Sequence, residues 1–163
     1  MDLFKSGKFI PTQFIIDHHK YEKTYPTLPF VVASFTDNFI SMGKLNAFGK
    51  VKKDQVQFSL DEVESITLDC QKAFNGGLKS STAIAHFEFL LGVMICLKSK
   101  EEYRLINSSM ILIHDLVAYC KKHHITLNDP YHLVTLLDNT TTDAGAYTIL
   151  QPLSNQFSMF MNK

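Results

Sequence analysis

The stretch of residues 81–97, STAIAHFEFLLGVMICL, limits the possible folds more than any other part of the chain. It is apolar on nearly every side, so a helix formed by it would be surrounded by the rest of the protein. Small residues, among them Ala85, Gly92 and Cys96, recur along one side at helical spacing and would let a second helix approach closely. The stretch therefore predicts a central buried helix whose features serve packing.

Two capping boxes mark further helix starts. In residues 59–62 and again in residues 99–102, a Ser is followed three positions later by a Glu, which can bond back to the backbone at the start of a helix. The first predicted helix ends at Gly76, and the second reaches about His124 with basic residues in its last turn. Residues 80–124 are then predicted to form an antiparallel helical hairpin at the centre of the fold.

The remaining chain predicts shorter elements on either side of this hairpin. They are helices over residues 11–23 and 27–48, a hairpin or extended connector over 50–58, a helix starting at 128–130, a loop over 139–145, a strand or extended piece over 147–150 and a helix over 154–161. The sequence thus predicts an all-α fold, a compact bundle of five to seven helices around the central hairpin, with at most a minor β element. No internal repeat divides the chain, so residues 1–163 are predicted to form a single helical domain.

The charge balance argues against a nucleic-acid partner. The 16 basic residues, Lys and Arg together, equal the 16 acidic residues, and Arg104 is the single Arg. Sequence-specific reading of DNA relies on the planar Arg side chain, so we expect no specific nucleic-acid partner. Non-specific binding through Lys50, Lys52 and Lys53 stays open, and it would show as an affinity that falls steeply with salt.

The cysteines and the apolar runs indicate a soluble protein in a reducing compartment. Cys70, Cys96 and Cys120 are odd in number and far apart, and at least two fall on apolar faces, which is typical of buried free thiols. The longest apolar run, residues 89–97, is far shorter than a membrane span, and the N-terminus has no secretory signal. We therefore predict a cytoplasmic protein without a membrane span.

The histidines do not form a recognised metal-binding motif. His18 lies one helical turn from Glu22, and His123, His124 and His132 form a second loose group. Neither group has the spacing of a known metal site, such as two His that flank a catalytic Glu. The sequence therefore predicts no metal and no cofactor.

His86 and Glu88 are the titratable pair in the apolar stretch and are predicted to be buried. A buried carboxylate can act as an acid or a base, so this pair is the best sequence argument for catalysis. On a helix the two side chains would point about 200° apart, so they could not serve one substrate directly. The pair leaves open the alternative of a small helical enzyme or sensor with a buried polar or metal site around Glu88 and His86.

The complete packing pattern, without a catalytic motif, favours a non-enzymatic protein-protein interaction module such as an adaptor, a chaperone-like subunit or an inhibitor. The expected partner is another protein, or a second copy of the chain in a homo-oligomer. Large apolar side chains near the C-terminus either dock on the domain or bind a groove of the partner. These candidate partner-binding residues are Phe157, Met159, Phe160 and Met161.

Overall fold

The computed structural model describes residues 13–16, 19–21, 31–45, 51–74 and 87–159. Within these ranges the protein is mostly β, with two sheets and three α-helices. The predicted all-α helical bundle is therefore wrong, and so is its central helical hairpin. Lys50 and Gly76, which entered the sequence predictions, lie outside the described residues.

Strands account for most of the regular structure. They are β1 (Gln13–Ile16), β2 (His19–Tyr21), β3 (Val31–Phe35), β4 (Phe39–Leu45), β5 (Val51–Ser59), β6 (Val63–Phe74), β7 (Phe87–Leu97), β8 (Glu102–Asn107), β9 (Thr126–Asn128) and β10 (Ser158–Met159). The α-helices are α1 (Leu112–Lys122), α2 (Leu133–Leu136) and α3 (Asp143–Leu150), and short 3-10 helices span Leu60–Glu62 and Gln151–Gln156. None of the described helices has the length and apolar character needed to cross a membrane.

The larger sheet has the strand order β10-β6-β7-β8-β1-β2, and β9 also pairs with β6. Both β9 and β10 run parallel to β6 and occupy successive parts of one of its edges, at residues 65–67 and 71–72. The other pairings in this sheet are antiparallel. The smaller sheet has the order β3-β4-β5, and the 3-10 turn Leu60–Glu62 connects β5 to β6 and so joins the two sheets.

The apolar stretch that predicted a central helix forms β7, which lies between β6 and β8. Its residues Leu91, Val93 and Ile95 are fully buried on the face that meets the core, and Leu90 on the opposite face is only 7% exposed. The outward positions Leu90, Gly92, Met94 and Cys96 are also apolar or small, so the stretch lacks the alternation of a one-sided strand and resembles a buried helix. The helix prediction for residues 87–97 was wrong for this reason.

The core connects both sheets through α1. Tyr119 of α1 meets Phe35 of β3 edge to face, with ring centroids 5.4 Å apart, and its hydroxyl donates a hydrogen bond of 2.7 Å to the Thr36 carbonyl. Phe58 of β5 stacks on Tyr103 of β8 with centroids 5.1 Å apart. The inner faces of the two sheets therefore share one core with α1.

The first capping box forms locally but does not start an α-helix. The Ser59 backbone N–H donates to Glu62 Oε2 at 2.6 Å, and the Ser59 hydroxyl donates to the same oxygen at 2.9 Å. A single 3-10 turn follows, and the chain then enters β6. The capping pattern correctly located a turn, whereas the predicted helix is wrong because β6 continues by pairing with β7.

The second capping box lies in the turn between β7 and β8. The Lys100 N–H donates to the Leu97 carbonyl at 2.8 Å, and Lys100 has a positive φ of 73°. This arrangement, a tight turn followed by a left-handed residue, is a common hairpin connection that favours Gly at the left-handed position. The helix predicted from residue 99 is therefore replaced by a hairpin and by β8.

Replacing Lys100 with Gly is expected to raise the melting temperature by about 2 to 4 °C, because Gly adopts a positive φ without steric cost. The change also removes the ion pair between Lys100 and Glu64, but both side chains are largely exposed, at 71% and 43%, so we expect that loss to be smaller. Thermal unfolding followed by circular dichroism measures the shift. The matched control is Ser99→Gly, at a neighbouring position without a positive φ, which should give no gain.

One predicted boundary in the C-terminal part agrees with the structure, since α1 ends at Lys122, close to its predicted end. Asp129 accepts hydrogen bonds from the backbone N–H groups of Leu133 at 2.9 Å and Val134 at 2.8 Å and so caps the first turn of α2, although α2 begins at Leu133, after the helix start predicted at residues 128–130. The strand or extended piece predicted over residues 147–150 is wrong, because these residues belong to α3.

Candidate functional site

A shallow groove of about 390 Å³ lies between α1 and β9. Most of its wall is apolar, and its cationic residues lie on the α1 side. The residues that line it are Val117, Cys120, Lys121, His124, Ile125, Thr126 and Leu127. Because the groove is shallow and open, it does not enclose a ligand as cofactor pockets do, and it suits one or two side chains of a partner.

Helical spacing brings the α1 residues of the groove together. The groove residues at this place follow one side of the helix and its end, because the last three lie three, four and seven positions after the first. They are Val117, Cys120, Lys121 and His124. Cys120 is buried at 1% exposure, whereas Lys121 and His124 are exposed. The helix thus provides both an apolar wall and a positively charged rim.

The end of α1 turns the chain directly into β9. His124 has a positive φ of 54°, and its N–H points to the Lys121 carbonyl at 3.4 Å. The Ile125 N–H donates to the Cys120 carbonyl at 2.9 Å. These two contacts form a Schellman motif, in which the left-handed residue reverses the chain after the helix. The reversal places Ile125 and Leu127 opposite α1 and so creates the groove.

The basic residues at the end of α1 divide between two sides of the helix. Lys122 Nζ lies 2.5 Å from Asp37 Oδ1, and His123 Nε2 lies 3.2 Å from the same oxygen. The hydrogen bond from Lys122 holds the pKa of Asp37 below its usual value. His123 Nε2 is buried and makes no hydrogen bond to the described residues, so its approach to Asp37 is an ion pair only when the ring is protonated.

Lys121 and His124 differ from this pair because they face the groove. Within the part of the chain that the structure describes, neither makes an ion pair, and no acidic side chain lines the groove. The rim of the groove therefore has positive charge from Lys121 that is available to a ligand, with His124 adding charge when it is protonated.

β9 offers a strand edge beside the groove. It pairs with β6 at Thr126↔Ser65, Leu127↔Ile66 and Asn128↔Thr67. Among the described strands, no other strand pairs with β9, so its second edge is not covered by a strand. Backbone groups on such an edge can pair with another extended chain.

A second polar cluster lies on the face of the larger sheet that points away from α1. Arg104 Nη2 of β8 bonds to Asp69 Oδ2 of β6 at 3.1 Å, although β7 runs between these strands. The intervening residue is Gly92, where an added Cβ would lie 2.8 Å from the Asp69 Cβ. The small residue thus leaves room for the ion pair to cross β7. Gln71 donates a further bond of 3.3 Å to Asp69, and the cluster stabilises the sheet.

A third cluster surrounds Asp143 at the start of α3. Its Oδ1 accepts hydrogen bonds from the backbone N–H groups of Met110 at 2.7 Å and Ile111 at 3.2 Å, just before α1. The Ser109 hydroxyl donates to Oδ2 at 3.0 Å. A carboxylate in this position accepts hydrogen bonds from N–H groups that have no partner within the helix. Its negative charge also interacts favourably with the positive end of the helix dipole.

Replacing Asp143 with Ala is expected to lower the free energy of unfolding by about 2 to 4 kcal/mol, because the N–H groups of Met110 and Ile111 lose their acceptor. Chemical denaturation measures the loss. Asp143→Asn keeps one acceptor oxygen and should be less harmful, and Asp138→Ala, at an exposed position, should change stability little. Equal stability of Asp143→Ala and the wild type would contradict a capping role.

The structure separates the residues that the sequence suggested as sites. Glu88 lies in β7 but is exposed, so the prediction that it is buried is wrong; on a strand it points away from its buried neighbour Phe89. His86 lies outside the described residues, as do His18 and Glu22. Among those described, no group of three or more His, Cys, Asp and Glu residues could hold a metal ion, and this includes His123, His124 and His132.

The suggested C-terminal cluster is also divided. Phe157 is buried at 3% exposure, whereas Met159 is 43% exposed and pairs through β10 with β6. Phe160 and Met161 lie outside the described part of the chain. The predicted helix over residues 154–161 is wrong, because a 3-10 helix ends at Gln156 and a strand follows. Phe157 therefore packs in the core, and Met159 is the one described member on the surface.

The thiols differ in burial. Cys70 and Cys120 are buried as the sequence predicted, while Cys96 is partly exposed, and all three are free. Burial raises the pKa of the Cys70 thiol and of the Cys120 thiol to about 12, from an ordinary value of 9.0. Both thiols are therefore protonated and shielded near neutral pH.

We expect a thiol reagent at pH 8 to modify Cys96 rapidly and to modify Cys70 and Cys120 only after unfolding. Peptide mapping by mass spectrometry identifies the modified residues, and denatured protein is the control for reagent access. The raised pKa values also predict that stability falls as the pH rises above about 9, because the thiols then lose protons in the unfolded state first. Rapid labelling of Cys120 in folded protein would show that the groove wall opens.

Comparison with protein-family models, with curated proteins and with solved structures found no match to this chain.

Proposed function

We propose that the protein is a non-enzymatic protein-protein interaction module, an adaptor, chaperone-like subunit or inhibitor, that binds a segment of another protein in the groove between α1 and β9. The main support is the combination at that place of a shallow apolar wall, a strand edge that pairs with no other described strand, and available positive charge. Peptide-binding domains use the same features, because a strand edge provides affinity and side-chain pockets provide specificity.

The alternative function has weaker support. An enzyme or sensor around Glu88 and His86 required a buried carboxylate, and Glu88 is exposed. The polar clusters built around Asp69, Asp129 and Asp143 bond mainly to groups within the fold, and their hydrogen bonds explain their positions. The groove between α1 and β9 is therefore better supported as a functional surface than these clusters are.

The proposal includes a cytoplasmic location, which the buried free thiols Cys70 and Cys120 support, because such thiols persist in reducing compartments. It also includes the expectation of no specific nucleic-acid partner, which the balance of 16 basic and 16 acidic residues supports. A second copy of the chain is the other protein partner to test, since the edge of β9 can pair with a strand edge of another molecule.

The decisive experiment compares two variants of α1 in an affinity purification from the native cell, followed by mass spectrometry. Val117→Glu places a charged side chain in the groove, and Ala118→Glu places the same side chain on the exposed side of the same helix. We expect the wild type and Ala118→Glu to recover the same partner, and Val117→Glu to lose it while its melting curve shows a folded protein.

The opposite results are equally clear. Equal recovery by Val117→Glu and Ala118→Glu would reject the groove as the binding surface. If the wild-type protein recovers no specific partner and is monomeric by sedimentation, the interaction function itself is rejected.

A further inference from the structure

We propose that the occupant of the groove is an extended acidic segment of a partner protein, which adds to the larger sheet beside β9. This inference rests on the proposed function and specifies the chemistry of the partner. Three features of the described residues support it: the edge of β9, the charge of the rim and the apolar wall.

The edge of β9 favours an extended occupant over a helical one. β9 spans three residues, which at about 3.3 Å per residue gives a contact length of about 10 Å. An extended chain can satisfy the backbone groups on that edge, whereas a helix already uses its own backbone groups internally. The partner segment that makes backbone contact is therefore short, about three residues, with further contacts at its ends.

The charge of the rim selects acidic residues in that segment. Lys121 and His124 are exposed at the groove, and the seven residues that line it include no Asp or Glu. The neighbouring cation Lys122 is already paired with Asp37, so it adds little to the selection. A carboxylate beside Lys121 gains a partner without displacing an existing one, and a Lys or Arg there would be repelled.

The apolar wall selects one aliphatic side chain between the acidic residues. Val117, Ile125 and Leu127 are each partly buried, so they leave some apolar surface open to a ligand. Side chains of an extended segment alternate in direction, so the residues two positions before and after an aliphatic residue in the groove point to the same side as it does. The expected pattern is an aliphatic residue with Asp or Glu two positions away on both sides.

The small contact predicts weak binding that depends on salt. A short segment buries far less surface than a stable protein complex, so we expect a dissociation constant in the micromolar range or weaker. Because the rim charge is exposed to solvent, affinity should decrease as the ionic strength rises.

A phage-displayed library of random short peptides, selected on the full-length chain at low salt, tests the proposal. We expect the selected pool to be enriched in Asp and Glu around an aliphatic residue. A synthetic peptide of the consensus should then shift the backbone amide signals of Val117, Lys121 and Leu127 in a ¹⁵N NMR spectrum.

Charge reversal provides the matched comparison. Lys121→Glu should weaken binding of the consensus peptide by about fivefold to tenfold at low salt, and the difference should shrink at high salt. Lys98→Glu makes the same change in net charge in the exposed turn after β7 and should alter binding less than twofold. A consensus peptide that keeps the aliphatic and acidic residues but has Pro at the positions between them should not bind, because Pro cannot donate to the strand edge.

Each contrary result has a distinct meaning. A pool enriched in basic, neutral or helix-forming peptides that still shifts the groove amides rejects the acidic extended occupant but supports the proposed function. An acidic pool that binds equally to wild type and Lys121→Glu also rejects the inference. If no peptide shifts the groove amides and the native partner is retained by Val117→Glu, both the inference and the groove function are rejected.

Discussion

Replacing Phe157 with Ala is expected to lower the free energy of unfolding by about 3 to 5 kcal/mol, a large part of the stability of a domain of this size. The Phe157 ring is 3% exposed and meets Phe89 and Tyr131 edge to face, with centroids 5.8 Å and 5.5 Å apart. Its removal would leave a cavity between β7, the turn before α2 and the C-terminal segment. Chemical denaturation with a fluorescence or circular dichroism signal measures the loss.

Met159→Ala is the matched control, because Met159 lies two positions further along the chain and is 43% exposed. It should change stability by no more than about 0.5 kcal/mol. An unchanged unfolding curve for Phe157→Ala, together with lost partner binding or lost self-association, would reject the docked position. The C-terminal residues would then be the interaction site that the sequence suggested.

Replacing Leu91 with Ala is expected to cost about 2 to 5 kcal/mol and to leave the domain partly unfolded at 37 °C. Leu91 is fully buried in the central strand β7, where it lies between Cys70 of β6 and Asn107 of β8. Truncation would remove apolar contacts from a close-packed region with neighbours on two strands, which limits the ability of the core to collapse around the cavity.

Leu91→Met keeps most of the volume and should cost less than about 1.5 kcal/mol. Thermal and chemical unfolding of the two variants shows whether the loss of stability comes from the lost side-chain volume or from any substitution at this position. A melting temperature of Leu91→Ala within a degree or two of the wild type would contradict a central place for β7 in the core.

The local chemistry of turns and helix ends could be predicted from the sequence, although the elements between them could not. Ser59 and Glu62 bond as a capping box, Asp129 caps a helix, and α1 ends near His124. Each of these signals depends on residues within a few positions of one another, so the sequence contains all the participants. The type of the following element depends on partners that are distant in sequence.

The candidate groove could be predicted only in part. The helix end and its basic residues were expected, but β9 is too short to show a strand pattern, and it exists because residues 126–128 pair with residues 65–67. The charge that faces the groove was also hidden, since only the structure shows that Lys122 is paired with Asp37 while Lys121 faces the groove. The sequence showed that basic residues cluster at the end of α1, but it could not show which of them are paired and which face the groove.

The sequence by itself determined that one long apolar stretch is buried and where several turns occur. It placed residues 87–97 at the centre of the protein, and β7 does lie there. Only the tertiary structure decided that this centre is a strand, because an apolar run without clear alternation is compatible with a buried helix and with a strand. The hydrogen bonds of a helix are local, whereas those of β7 come from β6 and β8, and the pairing of whole strands therefore decides between the two.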